Sequence, residues 1–432
     1  MPVKNLILSD GERYPILLDE DGVPDYWATL YVTEHLRQKS NQTSIENALG
    51  HLVHLRLWEK INNRSLEDEL SQSVFPSDDD IYSLRDHCRL ESQSLKKWHT
   101  RKPNNSVVKF AHVAAATVPS FSTVSTRHTY NRLTQVAYYL EFIAKVVLRD
   151  KLRWDEELTK SIESMRKQML ANRPKGTSRG GLVSDPDTKA PPSDNFEHFM
   201  GIVKEDSPDN PFKSETVRFR NSLMFEVMYE TGMRSGELLG LQTVDVDFHG
   251  ASSLFIKRRH DSLEDPRRRQ PVAKTRERKL PLKKRTADRL KHYVMEIRAE
   301  IEPARKHPYL FVTHKKGKDW GRPISASTFV LILNSVKNVS PDLLKEIKKH
   351  GFQHDSNYRL SNQIDEINKA AKDNPDIKPI NEKMEIQIRK DIYGWDSDQS
   401  AEVYNQRHVR NEANRLMRED MDHWTEFTKK GK

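Results

Sequence analysis

Apolar and polar positions fall into two regimes along this chain. In residues 1–25 they alternate, Leu6 and Leu8 and then Tyr14, Ile16 and Leu18, around a Ser9-Asp10-Gly11 turn. That two-residue period predicts a small N-terminal hairpin. From Tyr26 the period becomes helical: Leu30, Tyr31, Thr33 and Leu36 lead into a second run from Ser44 through Leu52, Leu55 and Leu57. Ser44 is the expected N-cap of that helix. Asp78–Cys88 and Thr129–Leu148 are further helices, the second amphipathic through Leu133, Val136, Tyr139, Leu140 and Ile143. The acidic run Asp78-Asp79-Asp80 after Pro76-Ser77 reads as a helix start that complements the dipole.

The pattern breaks at Arg173-Pro-Lys-Gly-Thr-Ser-Arg-Gly-Gly and stays broken to Pro191-Pro192-Ser193. A stretch so rich in Gly, Pro and Ser predicts a linker, residues 173–195, between a helical domain (26–172) and a second domain (196–432). In the second domain Ser214 opens a helix that Thr231-Gly232-Met233 stops. Ser235–Leu241 follows as a short helix with Leu238, Leu239 and Leu241 on one side. Ser253–Ile256, Gln270–Ala273 and Arg278–Leu282 read as short strands, and Thr286–Glu300, Ser325–Val336, Pro341–His350 and the region from Ala401 onward as helices. The expected fold class is mainly α, with a small antiparallel β-sheet in the C-terminal domain.

Composition narrows the class. The 432 residues suffice for two or three domains, and 31% charged against 35% hydrophobic residues argues against a membrane protein. A single cysteine, Cys88, leaves no internal disulfide and no paired-cysteine metal site, so a reducing, cytoplasmic compartment is expected. The total charge of +9 is concentrated: residues 257–291 hold fifteen Lys/Arg against five Asp/Glu, a local net of +10. Such a segment suits a polyanion.

Four motifs carry candidate chemistry. In Thr231-Gly-Met-Arg-Ser-Gly-Glu-Leu-Leu-Gly-Leu241, a glycine turn before a buried helix can hold Arg234 rigidly, and a fixed guanidinium can donate two hydrogen bonds to phosphate oxygens. Arg234 could instead pair with Glu237 as a surface fork. Val272-Ala-Lys274-Thr-Arg-Glu-Arg-Lys-Leu-Pro-Leu282 places Lys274 at a basic tip, with Lys279 as the competing lysine. The third is His350-Gly-Phe-Gln-His354. The fourth is Tyr393-Gly-Trp395, with Tyr404 nine residues beyond the tryptophan. His51 and His54, three apart, lack a visible third ligand and read as structural.

Taken in order, these segments resemble the tyrosine recombinase (phage integrase) family, most specifically from Ser214 to Val409. The resemblance implies a helical core-binding domain and a catalytic domain that clamp double-stranded DNA, with no cofactor and no metal. It implies that Arg234 neutralises the phosphate, Lys274 protonates the leaving 5′ oxygen, His350 assists, Trp395 buttresses the phosphate, and Tyr404 is the nucleophile of a 3′-phosphotyrosine intermediate. Gln353 stands where the family carries its second arginine, an engineered inactivation or a natural loss that implies an impaired enzyme. The function expected on this resemblance is a site-specific recombinase or integrase of a bacterial mobile element, dimeric on one site and tetrameric in a synapse. A catalytically deficient DNA-binding member and a type IB topoisomerase are the alternatives. The tail 411–432 reads either as a helix packed in cis or as an extension that docks on a neighbouring protomer.

Overall fold

The computed structural model describes residues 1–99, 121–175, 193–402, 413–414 and 416–421. They divide into two compact units, one comprising Met1–Ser9 and Arg13–Arg179, the other Asp10–Glu12 and Gly180–Lys432. The expected linker 173–195 lies mostly outside the described residues, and Ser193 already opens a helix. Among the described residues no helix is long and apolar enough to cross a membrane.

The first unit opens with the anticipated hairpin. Strands β1 (Val3–Ile7) and β2 (Arg13–Leu17) pair antiparallel, Val3 opposite Leu17 and Ile7 opposite Arg13. Among the described residues these α-helices follow: α1 (Tyr26–Tyr31), α2 (Gln42–Asn62), α3 (Leu66–Ser71), α4 (Asp78–Cys88), α5 (Ser92–His99), α6 (Thr126–Val147) and α7 (Glu156–Ala171). Helix α2 starts two residues before Ser44. Asn41 is its N-cap and its side chain accepts from the Ser44 N–H, so Ser44 sits inside the first turn. Helix α4 has the expected acidic start, built as a reciprocal capping box between Ser77 and Asp80. Leu17, Tyr31, Leu52, Leu133, Val136, Tyr139, Leu140 and Ile143 form the core between hairpin and helices.

The second unit packs α8 (Ser193–Ile202), α9 (Glu215–Thr231) and α10 (Ser235–Gly240) with a three-stranded antiparallel sheet. Its strands are β3 (Val246–Asp247), β4 (Ser253–Ile256) and β5 (Arg278–Pro281), in that order across the sheet. Then come α11 (Lys284–His292), α12 (Ala326–Lys337), α13 (Pro341–Leu344), α14 (Gly351–Asp373) and α15 (Glu382–Tyr393). Residues 270–273 are not a strand. Pro271 lacks an N–H for a ladder, and the segment lies across α10, where Gly236 and Gly240 let its carbonyls approach; Val246–Asp247 supplies the third strand instead. The helix expected over Thr286–Glu300 changes to a π turn at Tyr293 and ends at Arg298. The one expected over Pro341–His350 lasts four residues, and a new long helix begins at Gly351. The expected C-terminal helix lies largely outside the described residues, of which 401–402, 413–414 and 416–421 are helical.

A polar cluster sits inside the first unit. The His54 and His87 rings lie 4.3 Å apart, His51 packs 5.2 Å from His128, and Arg132 reaches both pairs. Its Nη1 is 3.0 Å from His54 Nε2 and donates to the Cys88 and Leu90 carbonyls, while Nη2 is 3.0 Å from His128 Nε2. Burial first, and then in part the neighbouring cation, lower these imidazoles: His51 and His87 to about 4, His54 to about 2. The folded pKa values lie below the unfolded value near 6.5, so the unfolded chain binds more protons in between. The first unit therefore keeps this stabilisation above about pH 6.5 and loses it as the pH falls towards 4. Each histidine steepens the loss by up to roughly 1.4 kcal/mol per pH unit. Denaturant titrations of the full chain at steps between pH 7 and pH 5 measure that slope. His54→Gln should flatten it, and a pH-independent midpoint would contradict the role of the cluster.

Candidate active site

Helix α9 ends at Thr231 because Gly232 turns left-handed, φ 64°, with its N–H on the Met228 carbonyl. A Cβ at Gly232 would stand 2.5 Å from Ser356 Oγ and 2.9 Å from Tyr393 Cε1, so the turn presses on both α14 and the end of α15. Arg234 then takes the N-cap position of α10, half-buried, and Glu237 accepts from its backbone N–H at 2.9 Å. The Arg234 guanidinium stands 3.8 Å from Glu237, and Glu237 is not a surface residue: its side chain is 1% exposed. Burial pushes its pKa up, but the hydrogen bonds and charge of Arg278 outweigh that and hold the carboxyl below its ordinary range.

Arg278 is the main partner. Its Nη2 and Nη1 donate to the two Glu237 oxygens at 2.9 and 3.2 Å, Nη1 also reaches Thr275 Oγ1 at 2.8 Å, and Nε donates to the Ile392 carbonyl at 2.8 Å. Thr275 also donates to Glu237. Lys274 therefore sits in an irregular segment anchored on both sides, exposed between buried Ala273 and buried Thr275. Lys279, the competing lysine, lies on β5 beside Asp247 at 3.8 Å and over the Phe255 ring at 5.1 Å. Gly394 closes the arrangement. It has φ 66°, its carbonyl accepts from Arg276 N at 2.8 Å, and a Cβ there would lie 2.9 Å from both the Arg276 carbonyl and Arg278 Nη1.

His350 is the N-cap residue of α14. Phe352 fixes that helix start by inserting among Phe196, Phe199 and Phe225, with ring centroids 5.3–5.7 Å away. The His350 side chain is exposed at the site's mouth, yet partial desolvation, and then the charges of Lys349, Arg234 and Lys274, lower its pKa. Arg234, Lys274 and His350 thus come together from segments far apart in sequence. Gln353 is 6% exposed one turn into α14, and among the described residues its Nε2 has no hydrogen-bond acceptor. Trp395 is 6% exposed and tilts against Tyr393 at 5.1 Å. Tyr393 is packing as anticipated: it is buried and bonded through its hydroxyl to Ser356. Arg359 is held by Asp355 and by the Tyr229 carbonyl and ring. Tyr404 lies outside the described residues.

Sequence reasoning missed Glu237, Arg278 and Thr275 as the parts that assemble this site. One signal was available: a glutamate three residues after the cap position is capping-box spacing, and its neighbours Leu238 and Leu239 are buried. The basic segment also reads differently in three dimensions. Asp245 binds Arg259 and Lys257, Asp396 binds Arg258 and Arg276, and Glu205 and Glu226 bind Arg289. Acids from outside residues 257–291 neutralise much of its charge.

Residues 193–372, less than half of the chain, match the model of the phage integrase family. It is similar to the tyrosine recombinase XerD of Halalkalibacterium halodurans, 25% identical over 167 residues, which are 38% of this chain and 47% of that protein. The chain thus matches about half the length of that curated relative. Among solved structures it is similar to the XerH site-specific recombinase bound to a palindromic difH substrate in a post-cleavage complex, at 14% identity and TM-score 0.45 over 90% of this chain and 93% of that one. It is also similar to the Tn1549 transposon integrase in complex with transposon right end DNA, at 14% identity and TM-score 0.37 over 76% and 99%.

Two stability outcomes follow from the geometry. Gly394→Ala combines a left-handed φ with a clash against backbone, so it should lower stability by about 1–3 kcal/mol, read by equilibrium unfolding. Gln353→Met removes a buried donor that lacks an acceptor, a group that costs about 1–3 kcal/mol. That variant should unfold at equal or higher denaturant than the parent. A clear loss of stability would show that Nε2 is satisfied in the fold.

Proposed function

We propose that this chain is a site-specific DNA recombinase or integrase of a mobile element that cleaves double-stranded DNA through Tyr404. The observation that carries the reading is the convergence of Arg234 and Lys274 on His350, beside a buried Gln353 donor. The Tyr404 phenolic oxygen attacks the scissile phosphorus. The new bond is a 3′-phosphotyrosine, the bond to the 5′ oxygen breaks, and its electron pair stays on that oxygen. Lys274 supplies the proton the leaving oxygen takes up. His350, with its pKa lowered, is neutral at pH 7 and can accept the phenol proton. Arg234 donates to the equatorial phosphate oxygens as negative charge builds. Energy is kept in the covalent link, and reversal of the step rejoins strands. The protein acts as a dimer on one site and a tetramer in the synapse.

Gln353 supports a second reading, a member that binds DNA and cuts slowly. An amide keeps one donor but brings no charge, and loss of one such stabilising group costs about 10²–10³ in rate. One experiment addresses both readings. The chain and its Gln353→Arg variant are incubated with nicked duplexes tiled across the DNA flanking its own gene, and covalent adducts are read on a denaturing gel. The recombinase reading expects adduct in both, formed about 10²–10³-fold faster with arginine, and none in Tyr404→Phe. Adduct only with arginine would favour the binding reading. Adduct that persists in Tyr404→Phe, or its absence from every duplex with both proteins, would overturn the assignment.

A further inference from the structure

We infer that Arg278 is a positioning residue for protonation of the leaving group, acting through Lys274; this rests on the proposed role of Lys274. Arg278 touches no group assigned to the phosphate. Its guanidinium instead joins three segments: Glu237 on the Arg234 helix, Thr275 beside Lys274, and the Ile392 carbonyl at the end of the helix that leads into Trp395. Its side chain is 6% exposed, so these bonds form away from water and hold their geometry. A planar fork with donors on three nitrogens can fix three directions at once, which a lysine cannot. The neighbouring Arg276 N–H bonds the Gly394 carbonyl at 2.8 Å, so the backbone on the far side of Thr275 is tied to the same helix end. The Lys274 ammonium projects from the segment these bonds immobilise. Release of Arg278 frees that segment and moves the acid away from the 5′ oxygen, while Arg234 keeps its own helix position.

The test uses duplexes whose bridging 5′ oxygen at the cleaved phosphate is replaced by sulfur. A thiolate leaves without a proton, so this substrate bypasses a missing or misplaced acid. Adduct formation is measured for the full chain, in the parent and the Gln353→Arg background, with Lys274→Ala as reference. Arg278→Gln should slow adduct formation on the oxygen substrate by about 10²-fold, at the low end for loss of a general acid. It should return to within a few-fold of its background on the sulfur substrate, as Lys274→Ala does. Because Arg278→Gln leaves the buried Glu237 with the more distant Arg234 guanidinium as its charge partner, the neutral pair Glu237→Gln with Arg278→Met is tested in parallel; removing both charges should preserve the fold. Equal slowing on both substrates by variants that fold would make Arg278 merely structural and overturn the inference, as would undiminished activity on the oxygen substrate. Failure of sulfur to rescue Lys274→Ala would instead overturn the general-acid role of Lys274, and the inference with it. Absence of adduct from either background on both substrates would overturn the recombinase reading itself.

Discussion

The buried ion pair of Glu237 and Arg278 is the constraint on which the candidate site depends. Two charges with side chains 1% and 6% exposed lose most of their hydration, and that loss is offset only when every remaining donor and acceptor is used. Here nearly all are. Glu237 receives the Arg234 N–H, Thr275 and two guanidinium nitrogens, and Arg278 uses its third nitrogen on the Ile392 carbonyl. Apolar packing between these segments would allow them to slide. A bidentate charged pair allows one arrangement, which is what the proposed alignment of Lys274 with a single oxygen needs.

The same pair explains why the glycines stand where they do. Segments drawn this close leave no room for a side chain at Gly232, pressed on Ser356 and Tyr393, or at Gly394, pressed on Arg276 and Arg278. Both also need a left-handed φ to reverse the chain after a helix. The three-dimensional charge distribution follows the same logic. Acids at Asp245, Glu205, Glu226 and Asp396 hold Arg258, Arg259, Arg276 and Arg289 in place. Of that segment, Lys274, Lys283, Lys284, Arg285 and Lys291 make no ion pair among the described residues. A segment that reads as a broad basic face therefore presents a smaller and more specific set of cations.

Legibility in the sequence tracked the kind of force at work. Helices α4 and α12 bury apolar stripes, and their limits could be read from period and caps; α6 buries one too but starts at Thr126 behind its Ser125 cap, three residues before the expected Thr129. Helix α14 could not. Its buried positions beyond Phe352 include Gln353, Asp355, Asn357 and Ser361, which bond to Arg389, Ser193 and one another rather than forming an apolar stripe. Polar burial has no period that marks it. The third strand was misplaced for a related reason: Gln270–Ala273 is a short uncharged run between basic residues, but it packs on glycines of α10. Arg234, Lys274 and His350 were legible as motifs. The Glu237–Arg278 clamp was not, because it is a contact across 41 residues and each partner alone reads as a solvated charge.

This clamp bears on how Gln353 is to be understood. Position 353 takes no part in it. The Gln353 backbone carbonyl accepts from Asn357 Nδ2, while the side-chain Nε2 meets no acceptor among the described residues. The helix start that carries it is fixed by Phe352 and the aromatic cluster. The scaffold therefore assembles without reference to the chemistry of residue 353. In the proposed reaction a change there would alter the charge offered to the phosphate and leave the clamp in place. An unsatisfied donor kept inside a well-packed helix works against stability, and a phosphate oxygen in the site is the acceptor that would relieve it. In the proposed reaction Gln353 is therefore the adjustable part of the site, setting how strongly the transition state is stabilised, while the Glu237–Arg278 pair holds the Lys274 segment in place.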